Sequence, residues 1–145
     1  MKSLDQPQFF RLDKEKRRAL TDHIVDVLRD EQAILFAFLH GSFLSEPSFR
    51  DIDVGIFLDG DPPSGHLDVE LDLSQRIEDD LESEFPVEVK IVNQAPLSFR
   101  FSVIQGKLLF ARNEDVLVDF MTTTARQYLD FAPLRHRYMK EALAS

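Results

Sequence analysis

Seven consecutive apolar residues, Ala33 to Leu39, lead into His40-Gly41-Ser42, and a second apolar run opens at Asp51-Ile52-Asp53 and ends at Leu58. Runs this short and this uniformly apolar read as strands buried in a sheet. They leave little freedom: a soluble chain with two such strands needs helices to cover them. The charges at their ends are then placed by the alternation of the strand. Residues i and i+2 share a face, so Asp51 and Asp53 project together from one edge of the sheet, with Cα atoms about 6.5 Å apart. Gly41 permits close backbone approach, and Ser42 offers a hydroxyl and backbone N–H groups at a turn.

The rest of the chain supplies the cover. Leu20, Ile24, Val27 and Leu28 predict a helix over 14–30, and Ser42–Glu46 predicts one helical turn ended by Pro47. After a loop at 59–65, Leu73, Ile77, Leu81 and Phe85 recur every four residues, predicting a helix over 66–84 that Pro86 ends. Val87–Val92 alternates as a third strand, 96–105 fits a helix with Pro96 in its first turn, and Lys107–Ala111 a fourth strand. From about Glu114 the chain is helical, with Pro133 expected to break or kink it. The order implies one α/β (α+β) domain over residues 1–145, a small mixed sheet flanked by helices, with the C-terminal helical segment packed on it.

Charge and composition remove several function classes. There is no cysteine, which excludes disulfides, thiolate metal sites and cysteine nucleophiles. Acidic residues outnumber basic ones by 26 to 17, for a net charge of −9, so stable nucleic-acid binding is not expected. The N-terminal residues lack the apolar core of a signal peptide and no run is long enough to span a bilayer, so a cytoplasmic location is expected.

Two carboxylates on one strand face, with a small-residue turn nearby, suit a cation and the phosphates that accompany it. Hard oxygen ligands favour Mg²⁺ or Mn²⁺. A third carboxylate would complete such a site, and Glu88, on the polar face of the third strand, is the candidate. Each piece also has a plainer reading. Asp-x-Asp is common at strand ends, Gly41-Ser42 alone reads as a turn with Ser42 as N-cap, and Glu88 alone as an exposed residue of an edge strand. His40 reads as a packed or hydrogen-bonded strand-end residue.

Taken together, Gly41-Ser42, Asp51-x-Asp53 and Glu88 resemble the nucleotidyltransferase fold of the DNA polymerase beta superfamily. More narrowly, residues 10–140 look like the minimal nucleotidyltransferase (MNT) antitoxin family. The similarity extends to Val87–Val92 with the turn Asn93-Gln94-Ala95-Pro96, to Gly106-Lys107-Leu108-Leu109-Phe110 and to Tyr128-Leu129-Asp130-Phe131. The family pattern continues Gly-Ser-x-x-Arg-Gly, whereas this chain reads Gly41-Ser42-Phe43-Leu44-Ser45-Glu46, and its third acid is Glu88 where Asp is usual. The resemblance implies an adenylyltransferase that moves AMP from ATP to a tyrosine of a cognate HEPN-type RNase toxin, with which it forms a hetero-oligomer. Asp51, Asp53 and Glu88 would be catalytic and metal-binding, and Gly41 and Ser42 nucleotide-binding. The alternatives are a binding-only antitoxin that neutralises by stoichiometric contact, and a transferase acting on a small molecule or an RNA end.

Overall fold

The computed structural model describes the backbone of residues 9–80 and 85–144, and side chains as far as residue 131 and at 137. Helix α1 (Lys14–Arg29) starts where the Asp13 carboxylate accepts from Lys16 N–H at 2.8 Å. Strand β2 (Ile34–His40) follows, then the single turn α2 (Ser42–Ser45) and strand β4 (Ile52–Leu58). Helix α3 (His66–Asp80), strand β5 (Val87–Ile91), helix α4 (Leu97–Ile104), strand β6 (Lys107–Ala111) and helix α5 (Glu114–Ala144) complete the order. Two-residue strands β1 (Phe10–Arg11) and β3 (Ser48–Phe49) pair antiparallel as a separate ribbon.

The main sheet runs β5-β4-β2-β6, with β4 parallel to β5 and antiparallel to β2. Alternation sorts its residues onto two faces. Ile52, Val54, Ile56 and Leu58 of β4 join Leu20, Ile24 and Leu28 of α1 and Leu73 and Ile77 of α3 in one core. Phe36 and Phe38 of β2 join Val103 of α4 and Leu117 and Phe120 of α5 in the other, with Phe57 packed against it. Asp53, between Ile52 and Val54, therefore lies on the α4 side. Gly55 sits on the same side, where a Cβ would come within 2.9 Å of Val103, so its bare backbone lets α4 lie close to the sheet.

The free edge of β5 is closed by α3. The N–H groups of Val87, Val89 and Ile91 donate to the Glu78 carboxylate (2.8 Å), the Ser74 hydroxyl (3.0 Å) and the Glu70 carboxylate (2.8 Å). The Ser74 hydroxyl in turn donates to the Glu70 carbonyl at 2.7 Å. At the far end Asn93 extends the pairing: its Oδ1 accepts from Leu58 N–H at 2.9 Å and its Nδ2 donates to Leu58 C=O at 2.8 Å. Both devices fix the register that places Glu88.

The expected elements lie within a residue or two of those observed, with two differences. Helix α5 continues through Pro133 without a break. A proline removes one i→i−4 hydrogen bond, and the turns on both sides hold the helix across the gap. Gly41, not Ser42, is the N-cap of α2, so no side chain caps that turn. Residues 81–84, the expected end of α3, lie outside the described residues. Tyr128 of α5 stacks flat on Phe101 of α4, with ring centroids 3.8 Å apart. Among the described residues no helix is long and apolar enough to cross a membrane.

Replacing Ser74 with Ala leaves the Val89 N–H without its acceptor at a partly buried position. The expected loss is about 1–3 kcal/mol of unfolding free energy by urea titration, with amide exchange accelerated at Val89 more than at the β2 amides. Uniform acceleration across the sheet would show that the edge contact has no local role.

Candidate active site

Cross-strand register builds the site. His40 of β2 is the Cα partner of Asp53, and Asp53 is the partner of Glu88 of β5, so three polar side chains form a row across one face at the end of the sheet. Asp51 lies just before β4, two residues from Asp53. Carboxylate oxygens of Asp51, Asp53 and Glu88 all fall within 4.8 Å of one another. The three acids expected from the sequence are thus brought together. Glu88 is also the exposed edge-strand residue of its plainer reading, paired with Lys90 Nζ at 3.4 Å.

Gly41 makes this approach possible. Its φ of +83° is in the region that favours glycine, and a Cβ there would lie 2.3 Å from Asp53 Oδ2. A side chain at position 41 would displace the carboxylate. The adjoining Ser42 opens α2, whose hydrogen bonds return to Gly41 and Ser42 carbonyls.

The carboxyls crowd one another. Desolvation and the neighbouring Asp51 and Glu88 charges push the Asp53 carboxyl up to about 7, helped by its hydrogen bond with Asp51 and opposed by Arg50. Arg50 is exposed, and its charge acts on Asp53 although strand alternation assigns it to the face opposite Asp51. Burial lowers His40, against the pull of Glu88 and Asp51. A cluster of hard oxygen donors at this spacing, one of them reluctant to ionise alone, fits a divalent cation.

Two features were not foreseen. His40 packs its ring edge-on to Phe99 of α4 at 5.5 Å, and its Nε2 is buried with no hydrogen-bond partner among the described residues. Nothing in the spacing of residues 40 and 99 signals that contact. The other is Arg17 of α1, which binds the carbonyls of Leu12 (3.1 Å), Phe43, Glu46 (3.2 Å) and Pro47 (2.7 Å). Its guanidinium also lies over the rings of Phe43 and Phe49, at 5.0 and 5.2 Å. Where the family pattern has an arginine inside the loop, this chain holds the loop from outside, through a residue 26 positions before Phe43.

The Asp53 shift has a definite sign. A carboxyl raised in the folded state holds its proton there longer than in the unfolded chain, whose Asp titrates near ~3.9. Its contribution to stability is complete below that pH and is lost as pH rises through about 7. The melting temperature of the metal-free protein should therefore fall between pH 5 and 8, and Asp53→Asn should flatten that fall and melt higher at pH 8. Mg²⁺ should stabilise the wild type more at pH 8 than at pH 5. An unchanged slope in the Asn variant would remove Asp53 as the cause.

Arg17→Met removes the guanidinium's hydrogen bonds to the loop while keeping a long side chain. The expected result is more rapid amide exchange at Phe43–Glu46 and about 1–3 kcal/mol lower stability. Unaltered exchange there would show that the ribbon β1–β3 alone holds the loop.

Residues 22–115 match the model of the family described as Polymerase beta, Nucleotidyltransferase. Among proteins of curated function none matches the chain. The fold is similar to a chain of the complex of MNT antitoxin with tri-AMPylated HEPN toxin from Shewanella oneidensis, at 17% identity over 88% of this chain and 98% of that one, TM-score 0.66. It is also similar to a chain of the toxin–antitoxin MntA–HepT (16% identity, 87% and 98% covered, TM-score 0.65). A toxin–antitoxin structure with AMP-PNP compares equally well (19% identity, 85% and 98% covered, TM-score 0.67). With the matched segment spanning well over half of its 145 residues and holding Gly41, Asp51, Asp53 and Glu88, this chain belongs to the polymerase beta nucleotidyltransferase family.

Proposed function

We propose that the protein is an antitoxin that transfers AMP from ATP to a tyrosine of a cognate HEPN-type toxin and so neutralises it. The observation that carries this reading is the convergence of Asp51, Asp53 and Glu88 within 4.8 Å beside a glycine turn. The likeness in fold to MNT antitoxins, one of them with a tri-AMPylated HEPN toxin and another toxin–antitoxin with AMP-PNP, supports the choice of acceptor and nucleotide.

Asp51, Asp53 and Glu88 are the residues that would hold Mg²⁺ or Mn²⁺. When bound, the cation supplies positive charge beside the triphosphate and the attacking oxygen. The chain's own residues do the remainder. The backbone of Gly41 and Ser42 receives the phosphates, and Arg17 keeps that turn in place. Glu88 accepts the phenolic proton as the tyrosine oxygen bonds to the α-phosphorus, and the bond from that phosphorus to the bridging oxygen breaks to release pyrophosphate. Phosphoryl-group transfer of this kind depends on positioning more than on covalent help from the protein, and sheet register is a rigid means of positioning.

Incubation with α-³²P-labelled ATP, Mg²⁺ and the product of the adjacent gene should label that product on tyrosine. The Asp51→Asn/Asp53→Asn variant should lower labelling by at least about a hundredfold, given the several kcal/mol a cation supplies to such a step. No label on the partner, or equal label from the variant, would overturn the catalytic reading. Protection of cells by an unlabelling double variant would instead favour neutralisation by binding alone.

A further inference from the structure

Beside the carboxylates, between β5 and the start of α4, lies a cavity of about 400 Å³. His40, Asp53, Glu88 and Lys90 line it from the sheet, and Pro96 and Phe99 from the turn and helix that follow β5. Gly41, Ser42 and Asp51 do not border it. We propose that this cavity is the acceptor subsite, and that it receives the phenol ring of a tyrosine side chain, with Phe99 selecting for the ring. The proposal rests on the AMP-transfer reading above and names where the acceptor sits.

The position argues for the acceptor over the nucleotide. In-line displacement puts the attacking oxygen and the departing pyrophosphate on opposite sides of the α-phosphorus. The turn suited to the phosphates, Gly41-Ser42, lies on one side of the Asp53 carboxylate, against which Gly41 is pressed. The cavity is bordered by Asp53 and Glu88 together. A hydroxyl in the cavity reaches Asp53 and Glu88 without passing Gly41 or Ser42, which do not border it.

The lining argues for a ring. A phenol brings an apolar ring and a hydroxyl in one side chain, matching the aromatic Phe99 and the carboxylate Glu88 that line the same cavity. An RNA end would bring phosphates toward Asp53 and Glu88 on a chain of net charge −9. Lys90 Nζ, 3.4 Å from Glu88 Oε1, places an ammonium where negative charge develops on the phenol oxygen.

The wall is built firmly. The T-shaped contact with His40 orients the Phe99 ring. Arg100 ties the turn before it, its Nε donating to the Ala95 carbonyl at 2.9 Å and its N–H to the Pro96 carbonyl at 3.0 Å. Gly55 sets how close α4 lies to the sheet.

The test is a ¹⁵N-NMR titration with N-acetyl-tyrosinamide, with N-acetyl-serinamide as control, in the absence and presence of Mg²⁺ and AMP-PNP. The tyrosine amide should shift the resonances of Glu88–Lys90 and Leu97–Phe99, with or without nucleotide, and the serine amide should not. Nucleotide should shift Gly41–Phe43. Phe99→Ala should weaken the tyrosine amide about three- to tenfold, the loss expected for one aromatic pair, and raise the acceptor KM in the labelling assay by a similar factor. Displacement of the tyrosine amide by AMP-PNP would make this the adenine site and overturn the proposal, as would equal shifts from the serine amide. Absence of transfer by the wild type, with the tyrosine amide still bound, would overturn the AMP-transfer reading alone. Tyrosine labelling with an unchanged acceptor KM in Phe99→Ala would overturn the acceptor subsite alone.

Discussion

Three carboxylates within 4.8 Å of one another repel, and the fold has to hold them there. A pair of unit charges about 4 Å apart costs about 1 kcal/mol in water and about 4 kcal/mol near a protein surface. The molecule meets that cost in two ways. Asp53 keeps its proton more readily than a free carboxyl, which relieves part of the repulsion. Backbone pairing does the rest. Asp53 and Glu88 are register partners in a parallel pair, so their Cα atoms can separate only if β4 and β5 part. The cluster is therefore a property of the sheet, and every contact that fixes β5 or the turn after β2 also fixes the cluster.

Seen this way, the polar side chains around the sheet share a task. Glu70, Ser74 and Glu78 hold one side of β5, Asn93 holds its exit, and Arg17 holds the turn after β2. Each replaces a backbone partner that the short strands lack. Buried donors and acceptors left without partners are costly, and these contacts also make the segments carrying Gly41 and Glu88 rigid. A site that works by aligning phosphates needs that rigidity more than it needs additional reactive groups.

The strands, their order along the chain and the acidic trio were legible in the sequence because each has a short-range signature. Period-two alternation marks Val87–Ile91, seven apolar residues mark β2, and two residues separate Asp51 from Asp53. What escaped notice depends on distance in the chain. The ribbon β1–β3 has two residues a side, too few to show a period. Arg17 is separated from Phe43 by 26 residues, and nothing local distinguishes it from the basic residues around it. His40 was legible as a packed residue, but its partner Phe99 belongs to a helix whose apolar residues show little sidedness. The capping role of Glu78 was hidden because an acid in a run of acids reads as solvated. Pro133 shows the opposite case, a strong local signal for a break overridden by the turns around it.

The bond between α3 and β5 also depends on an arithmetical coincidence. Four residues of helix advance about 6.0 Å and two residues of strand about 6.6 Å. Glu78, Ser74 and Glu70 can therefore meet Val87, Val89 and Ile91 in turn, helix and strand running in opposite directions. The two rulers drift by roughly half an ångström at each step, so a match good for three contacts would be lost over many more. A one-residue insertion within Glu70–Glu78 would turn part of the set by about 100°. The helix face that looks most dispensable, polar and acidic throughout, is thus the one whose spacing has the least room to change.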